Sequence, residues 1–167
     1  MPIIGNGDIA SVLRDRDDIT YFASGVSDSK EIRKSQFKRE SDLLLEQDRD
    51  KHLVYFSSLC VFYSNTPYAK HKLYMEELIK KNFIKFTIIR LGNITWGSNP
   101  KTLINFFRNK LEHDKPFEIQ DTYRYIIKKE EFLHWMDMIP SWNCEMNITG
   151  RRMKVQDIVN EIKFRML

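Results

Sequence analysis

Two cysteines, Cys60 and Cys144, leave no material for a disulfide scaffold, and their spacing suits no zinc site. No apolar run approaches the roughly 20 residues needed to cross a bilayer, and no signal-peptide pattern precedes the first strand. The expected compartment is therefore the cytoplasm, without a membrane partner. A basic block is missing too. The net charge of +4 is spread through stretches such as KEIRKSQFKRESD and LLEQDRDKH, where cations sit among acids as on solvated helix faces. Nucleic acid is not an expected partner, whereas a modest positive potential suits a small phosphorylated substrate. There is no internal repeat, linker or low-complexity segment.

What is present reads as a folded globular chain. Its 167 residues, 42% hydrophobic and 30% charged, suffice for one domain with a real core and are too few for two comfortable ones. The expected single domain covers residues 1–167, with substrate-binding elements mainly within 93–167.

Strand and helix alternate along the sequence. MPII predicts a short strand, and GNGDIASVLRD a glycine turn running into a helix. DDITYFASG, HLVYFSS and FIKFTIIRLGN predict further strands, separated by helices over KSQFKRESDLLLEQD and PYAKHKLYMEELIKKN. NPKTLINFFRNKLEHD predicts a helix with an Asn-Pro start signal, PFEIQ and YRYIIK two short strands, and EEFLHWMDMI a helix. EMNITG and VQDIVNEIKFRML complete the order as strand and helix. Such alternation implies an α/β fold with a parallel sheet, whose ligands sit beyond the carboxyl ends of the strands.

Those ends carry the candidate chemistry. After the first strand, Gly5-Asn6-Gly7-Asp8-Ile9-Ala10 fits G-x-G-x-x-[GA]. Glycines there let the backbone turn sharply and approach a pyrophosphate, and Ala10 permits close helix–strand packing. The second strand ends in Ala23-Ser24-Gly25, small enough for a flat cofactor or simply for a tight turn. The third ends in Ser57-Ser58, residue types that also form ordinary caps. Tyr68 and Lys72 then open the next helix, four apart and so on one face, one turn from each other. By itself that spacing is common. The fourth strand leads into Arg90-Leu91-Gly92-Asn93.

Taken in order, GNGDIA, FASG, YFSSLCVF, PYAKHKLYMEE, RLGNITWG, YRYIIKKEEF and NITG resemble the extended short-chain dehydrogenase/reductase family, which includes nucleotide-sugar epimerases and dehydratases. The resemblance covers almost the whole chain. It implies a Rossmann-like parallel sheet flanked by helices, a catalytic set of Ser58, Tyr68 and Lys72, and NAD or NADP as cofactor. Gly5, Asn6, Gly7, Asp8, Ile9, Ala23, Ser24, Tyr68 and Lys72 would line the cofactor. Asn93 and Arg124 match residues that contact the substrate's phosphates, and no metal is implied. In this reading the Lys72 ammonium lowers the Tyr68 pKa from its ordinary value near 10, so that the phenol can exchange a proton with a sugar hydroxyl. Ser58 holds the same oxygen.

Other residues are expected to be structural. Glu131 reads as an acid at a helix start, Trp96 and Trp135 as packing, Cys60 as unreactive, and His71 as a surface side chain pointing away from both Tyr68 and Lys72.

The chain also departs from the family pattern. Asp17-Asp18-Ile19 follows the glycine turn almost at once, so the family's second and third strands are missing, together with the acid that normally holds the adenosine ribose. The first strand should become a sheet edge, and the carboxyl-terminal substrate-binding part is minimal. No acidic pair follows Ser58, which favours epimerisation or keto reduction over dehydration. The expectation is an NAD(P)-dependent epimerase or reductase acting on a nucleotide sugar in polysaccharide biosynthesis. A homodimer is expected through the helices bearing Leu43 to Leu45 and Leu73, Tyr74 and Leu78. The alternative is a non-catalytic nucleotide- or sugar-nucleotide-binding module, or a scaffolding subunit, that retains the fold.

Overall fold

A computed structural model describes residues 2–167. Five strands, β1 (Ile3–Ile4), β2 (Ile19–Phe22), β3 (His52–Ser58), β4 (Phe86–Leu91) and β7 (Cys144–Ile148), form one sheet in the order β1-β2-β3-β4-β7. Every neighbouring pair in it is parallel. A second sheet places β6 (Tyr123–Ile127) between β5 (Asn93–Ile94), parallel to it, and β8 (Arg151–Lys154), antiparallel. The helices are α1 (Lys34–Leu45), α2 (Pro67–Asn82), α3 (Leu103–Glu112), α4 (Lys129–Asp137) and α5 (Val155–Lys163). The expected Rossmann-like α/β sheet is present, with β1 at its edge.

Alternation along β3 builds two cores at once. Leu53 and Tyr55 face α1 and α2, where Leu44, Met75, Ile79 and Phe83 bury them. Val54 and Phe56 face the other way, onto Phe132 and Met136 of α4, with Ile9, Val12, Leu13 and Trp96 around them. This is the period-two pattern of a strand covered on both faces. Residues on α3 and α5 (Ile104, Phe107, Ile158, Val159 and Ile162) bury Ile126 and Met153 of the small sheet.

Three local expectations are corrected. The glycine turn does not run into an α-helix: only a single 3-10 turn forms over Ala10–Val12, and Leu13 is already extended. The chain must return from the end of β1 to the start of β2, and extended backbone covers about 3.3 Å per residue against 1.5 Å in a helix. Ile9, Val12 and Leu13 still reach the core, and RDRDD, lacking apolar residues, has no face to bury. PFEIQ forms no strand, whereas RRMK, at Arg151–Lys154, does, because Met153 plugs the third core while its neighbours stay in solvent. Helix α3 starts not at Asn99-Pro100 but after Thr102, whose hydroxyl accepts from Asn105 N.

Gly5 has φ +120°, and a Cβ placed there would lie 2.4 Å from the Ala23 carbonyl oxygen. At Gly7 a Cβ would meet nothing within 4 Å. Gly5→Ala should therefore cost about 1–3 kcal/mol in urea unfolding, and Gly7→Ala less than about 1 kcal/mol. Equal losses at both positions would contradict this account of the turn.

Candidate functional site

Thr66 starts α2 by accepting a hydrogen bond from Ala69 N, and Pro67 occupies the first turn, where its missing N–H costs nothing. Tyr68 and Lys72 consequently sit in the opening turns of α2, beside the end of β3. The Lys72 ammonium lies 5.5 Å from the centre of the Tyr68 ring. Tyr68 is part-buried, and among the described residues its hydroxyl has no hydrogen-bond partner within the chain. Ser58 caps the short 3-10 turn Leu59–Phe62 by accepting from Cys60 N, which leaves its own O–H free to donate.

What surrounds Lys72 was not foreseen. The side chain is only 3% exposed, and its Nζ donates to Glu40 Oε1 at 3.4 Å and to the Tyr55 hydroxyl at 3.2 Å. Glu40, on α1, is fully buried. The Tyr55 hydroxyl donates to the same Oε1 at 2.6 Å, while Oε2 meets Val26 N and His71 Nε2, each at 2.9 Å. Four donors from three segments thus converge on one carboxylate. Burial opposes its ionisation, yet Lys72, His71, Tyr55 and the Val26 amide hold Glu40 down at about 2. Burial likewise works to strip the proton from Lys72, and the Glu40 charge overcomes it, raising that pKa above the ordinary lysine value.

His71 is therefore not a surface residue. It is buried, stacked on Phe37 with ring centres 4.4 Å apart, and bonded to Glu40. Its angle from Tyr68 and Lys72 matters less than its alignment with Met75 and Ile79, four and eight residues on, which form the inward stripe of α2. Glu40 carried a comparable signal: it stands between Phe37 and Leu44 at helical spacing, an acid interrupting an apolar stripe.

The expectation for Tyr68 also needs correction. Burial pushes its phenol above the ordinary value, and the downward pull of Lys72 does not compensate. Glu40 lies close enough to add its own upward effect. With its countercharge in place, the ammonium has little net field to offer, so Tyr68 rests protonated.

The glycine turn adjoins this cluster. Gly5 packs beneath Ala23 and Ser24 at the end of β2, and Gly25 follows at the pair itself, where a Cβ would come 2.8 Å from Lys72 Nζ and 3.0 Å from Glu40 Oε1. Space is open over Gly7, and Asn6 is exposed. Gly5–Gly7, Ala23, Ser24, Lys72 and Tyr68 are the residues that could hold the pyrophosphate and nicotinamide halves of a dinucleotide. The adenosine half would meet the free edge of β1. Asp8 turns elsewhere: its carboxylate accepts from Ser98 N and Asn99 N at 3.0 Å each, clasping the loop after β5. Its backbone carbonyl accepts from Trp96 Nε1, so Trp96 packs, as expected, against Phe132. The Ser24 carbonyl accepts from Arg39, and Arg16 is occupied by Asp18.

Asn93 and Arg124 lie on neighbouring strands of the small sheet. Asn93 donates to the Tyr125 carbonyl at 3.0 Å, leaving its amide oxygen free, and Arg124 is tethered to the Tyr123 carbonyl and Gln120. Arg90 serves the scaffold, bonded to Glu76 and Glu145. Burial raises the Cys60 thiol, in keeping with an unreactive side chain. A groove of about 480 Å³ beside Tyr123, Arg152 and Lys154 lies apart from Tyr68. No helix among the described residues is long and apolar enough to cross a membrane.

No protein-family model matches the sequence, and no curated protein does. Among solved structures, WbmG of Bordetella bronchiseptica in complex with NAD and UDP is similar at TM-score 0.69 and 15% identity, over 87% of this chain and 55% of that one. The UDP-glucuronic acid 4-epimerase of Bacillus cereus, in complex with a UDP-sugar analogue and NAD, matches at TM-score 0.70 and 17% identity, over 95% and 62% of the two chains. The Thermus thermophilus UDP-glucose 4-epimerase in complex with NAD gives 0.64 and 14%, over 86% and 60%. The chain has the fold of these enzymes. It spans 55–62% of their length, and at such identities the likeness establishes the fold.

The Glu40 charge has a consequence for stability. A carboxyl held at about 2 against an ordinary 4.5 favours the native state above pH 4.5, and the benefit is lost as pH falls through the native value. Stability should drop by about 3 kcal/mol from this group across that window, and Glu40→Gln should remove that part of the acid limb. Urea unfolding at several pH values checks it; an unchanged acid limb in a folded Glu40→Gln protein would contradict the assignment.

Proposed function

We propose that the chain is an NAD(P)-dependent epimerase or reductase acting on a nucleotide sugar through Ser58, Tyr68 and Lys72. The observation that carries the reading is the Tyr68 ring 5.5 Å from the Lys72 ammonium, at strand ends that also hold an open glycine turn. A nicotinamide ring, when bound, supplies a hydride acceptor and a positive charge. Tyr68, protonated at rest, gives its proton to the alkoxide that forms when hydride reaches a keto carbon, and the phenolate so left takes a proton back from a sugar hydroxyl when hydride departs. Ser58, whose O–H is free, orients the same oxygen. Gly5, Asn6, Gly7, Ile9, Ala23 and Ser24 form the bed for the dinucleotide, and the Asp8 clasp fixes its wall. Asn93 and Arg124 would contact the substrate's phosphates, where a guanidinium fork binds bidentately. Positioned acid–base help of this kind contributes about 10²–10⁴-fold in rate.

The reading extends to a homodimer through α1 and α2, supported by Leu73 and Tyr74, 43% and 54% exposed on the outer face of α2. A role in polysaccharide biosynthesis would follow from the substrate class.

A second reading, a binding module without turnover, is favoured by two observations: the raised phenol of Tyr68 and the bare β1 edge where the adenosine half would lie. Tyr68→Phe separates the two. An enzyme should lose at least about 100-fold in turnover while NADH binding, followed by its fluorescence, stays within about threefold. Gly7→Ala, which costs less than about 1 kcal/mol in stability, should weaken NADH binding. No binding of NADH or NADPH at millimolar concentration would overturn the oxidoreductase reading and leave the module.

A further inference from the structure

Lys72 is a buried ammonium, and such a group stays charged only with a partner. The groups facing it are Glu40 from α1, Tyr55 from β3, Tyr68 and, through Glu40, His71 from α2, Cys60 from the turn after β3, and the uncharged backbone at Gly25. Glu40 is the carboxylate in direct contact with it; Glu76 of the same helix is taken by Ser57 and Arg90.

From this arrangement we infer that Glu40 is the positioning residue for Lys72, holding the ammonium cationic and fixed beneath Gly25 with one N–H left over for a ligand. An ammonium has three donors. Glu40 Oε1 and the Tyr55 hydroxyl take two, and among the described residues the third has no partner within the chain. The carboxylate itself cannot drift, since Tyr55, Val26 and His71 hold it from three directions. Gly25 completes the fit: a methyl group there would press on both members of the pair. Glu40 is fully buried, so it reaches a ligand only through Lys72. Its charge also sets the resting state of the site, because it offsets the field of the ammonium at Tyr68 and so leaves the phenol protonated.

This inference rests on Lys72 and Tyr68 being the working pair, and its test does not depend on turnover. Lysine labelled with ¹³C at Cε and ¹⁵N at Nζ reports the charge of each side chain, and Lys72→Met assigns the Lys72 signal. In the wild type that signal should show the ammonium throughout the ordinary lysine range, up to pH 10.5. In Glu40→Gln its midpoint should fall by about one pH unit or more, as expected for a buried amine without a countercharge. Gly25→Ala keeps both charges but pushes them apart, so its midpoint should move in the same direction by less. If Glu40→Gln does not fold, Gly25→Ala decides. An unchanged Lys72 titration in either variant, when folded by circular dichroism, overturns the role of Glu40. NADH titration of the wild type runs beside it: absence of binding would overturn the dinucleotide reading, while the Lys72 titration judges Glu40 separately.

Discussion

One buried carboxylate organises the half of the molecule that faces α1 and α2. Glu40 has no contact with water, and a lone charge there would cost several kcal/mol. Its four donors offset that cost, and they come from three parts of the chain: the loop after β2, strand β3 and two successive residues of α2. Satisfying one charge thereby fixes the relative placement of α1, α2 and the ends of two strands. The apolar contacts of Leu44, Met75 and Ile79 bring the helices to the sheet, but such contacts are non-directional. Hydrogen bonds to a carboxylate have direction, and they select one arrangement among those that bury the same area.

The candidate site inherits its shape from this arrangement. Lys72 can lie beside Tyr68 because Glu40 and Tyr55 hold its head, and Gly25 leaves it room. On the opposite side of the sheet, Asp8 performs a comparable task with backbone donors, tying the glycine turn to the loop at Ser98 and Asn99. Two acids thus bracket the strand ends, one beneath the lysine and one behind the glycine turn. Both brackets lie at the ends of the five-stranded sheet as it stands. A free edge of that sheet is β1.

The parallel order of strands, the glycine turn and the pairing of Tyr68 with Lys72 were legible because each is a local pattern: alternation, a turn residue, a helical spacing. Glu40 and Tyr55 were not, since their role depends on contacts 15 and 32 residues apart in sequence. The clue lay in the helical stripe Phe37–Glu40–Leu44, where an acid occupies an inward position, and in the stripe His71–Met75–Ile79. Reading His71 against its two chemical neighbours instead of its apolar ones placed it on the surface. The 3-10 turn after Asp8 escaped notice because the glycine pattern carries an expectation of a helix that fourteen connecting residues, ending in RDRDD, do not support. The sign of the Tyr68 shift required burial and countercharge together, and neither is visible along a chain.

The central claim is that Glu40 and Lys72 are stable in the interior only as a pair. A double-mutant cycle with Glu40→Gln and Lys72→Met, measured by urea unfolding at pH 7, tests it most directly. Each single change should strand one charge, so the double variant should be more stable than the two separate losses imply, with a coupling of about 2 kcal/mol or more. Losses that add to within about 0.5 kcal/mol would mean that the two groups do not depend on each other, and the account would be wrong at its base.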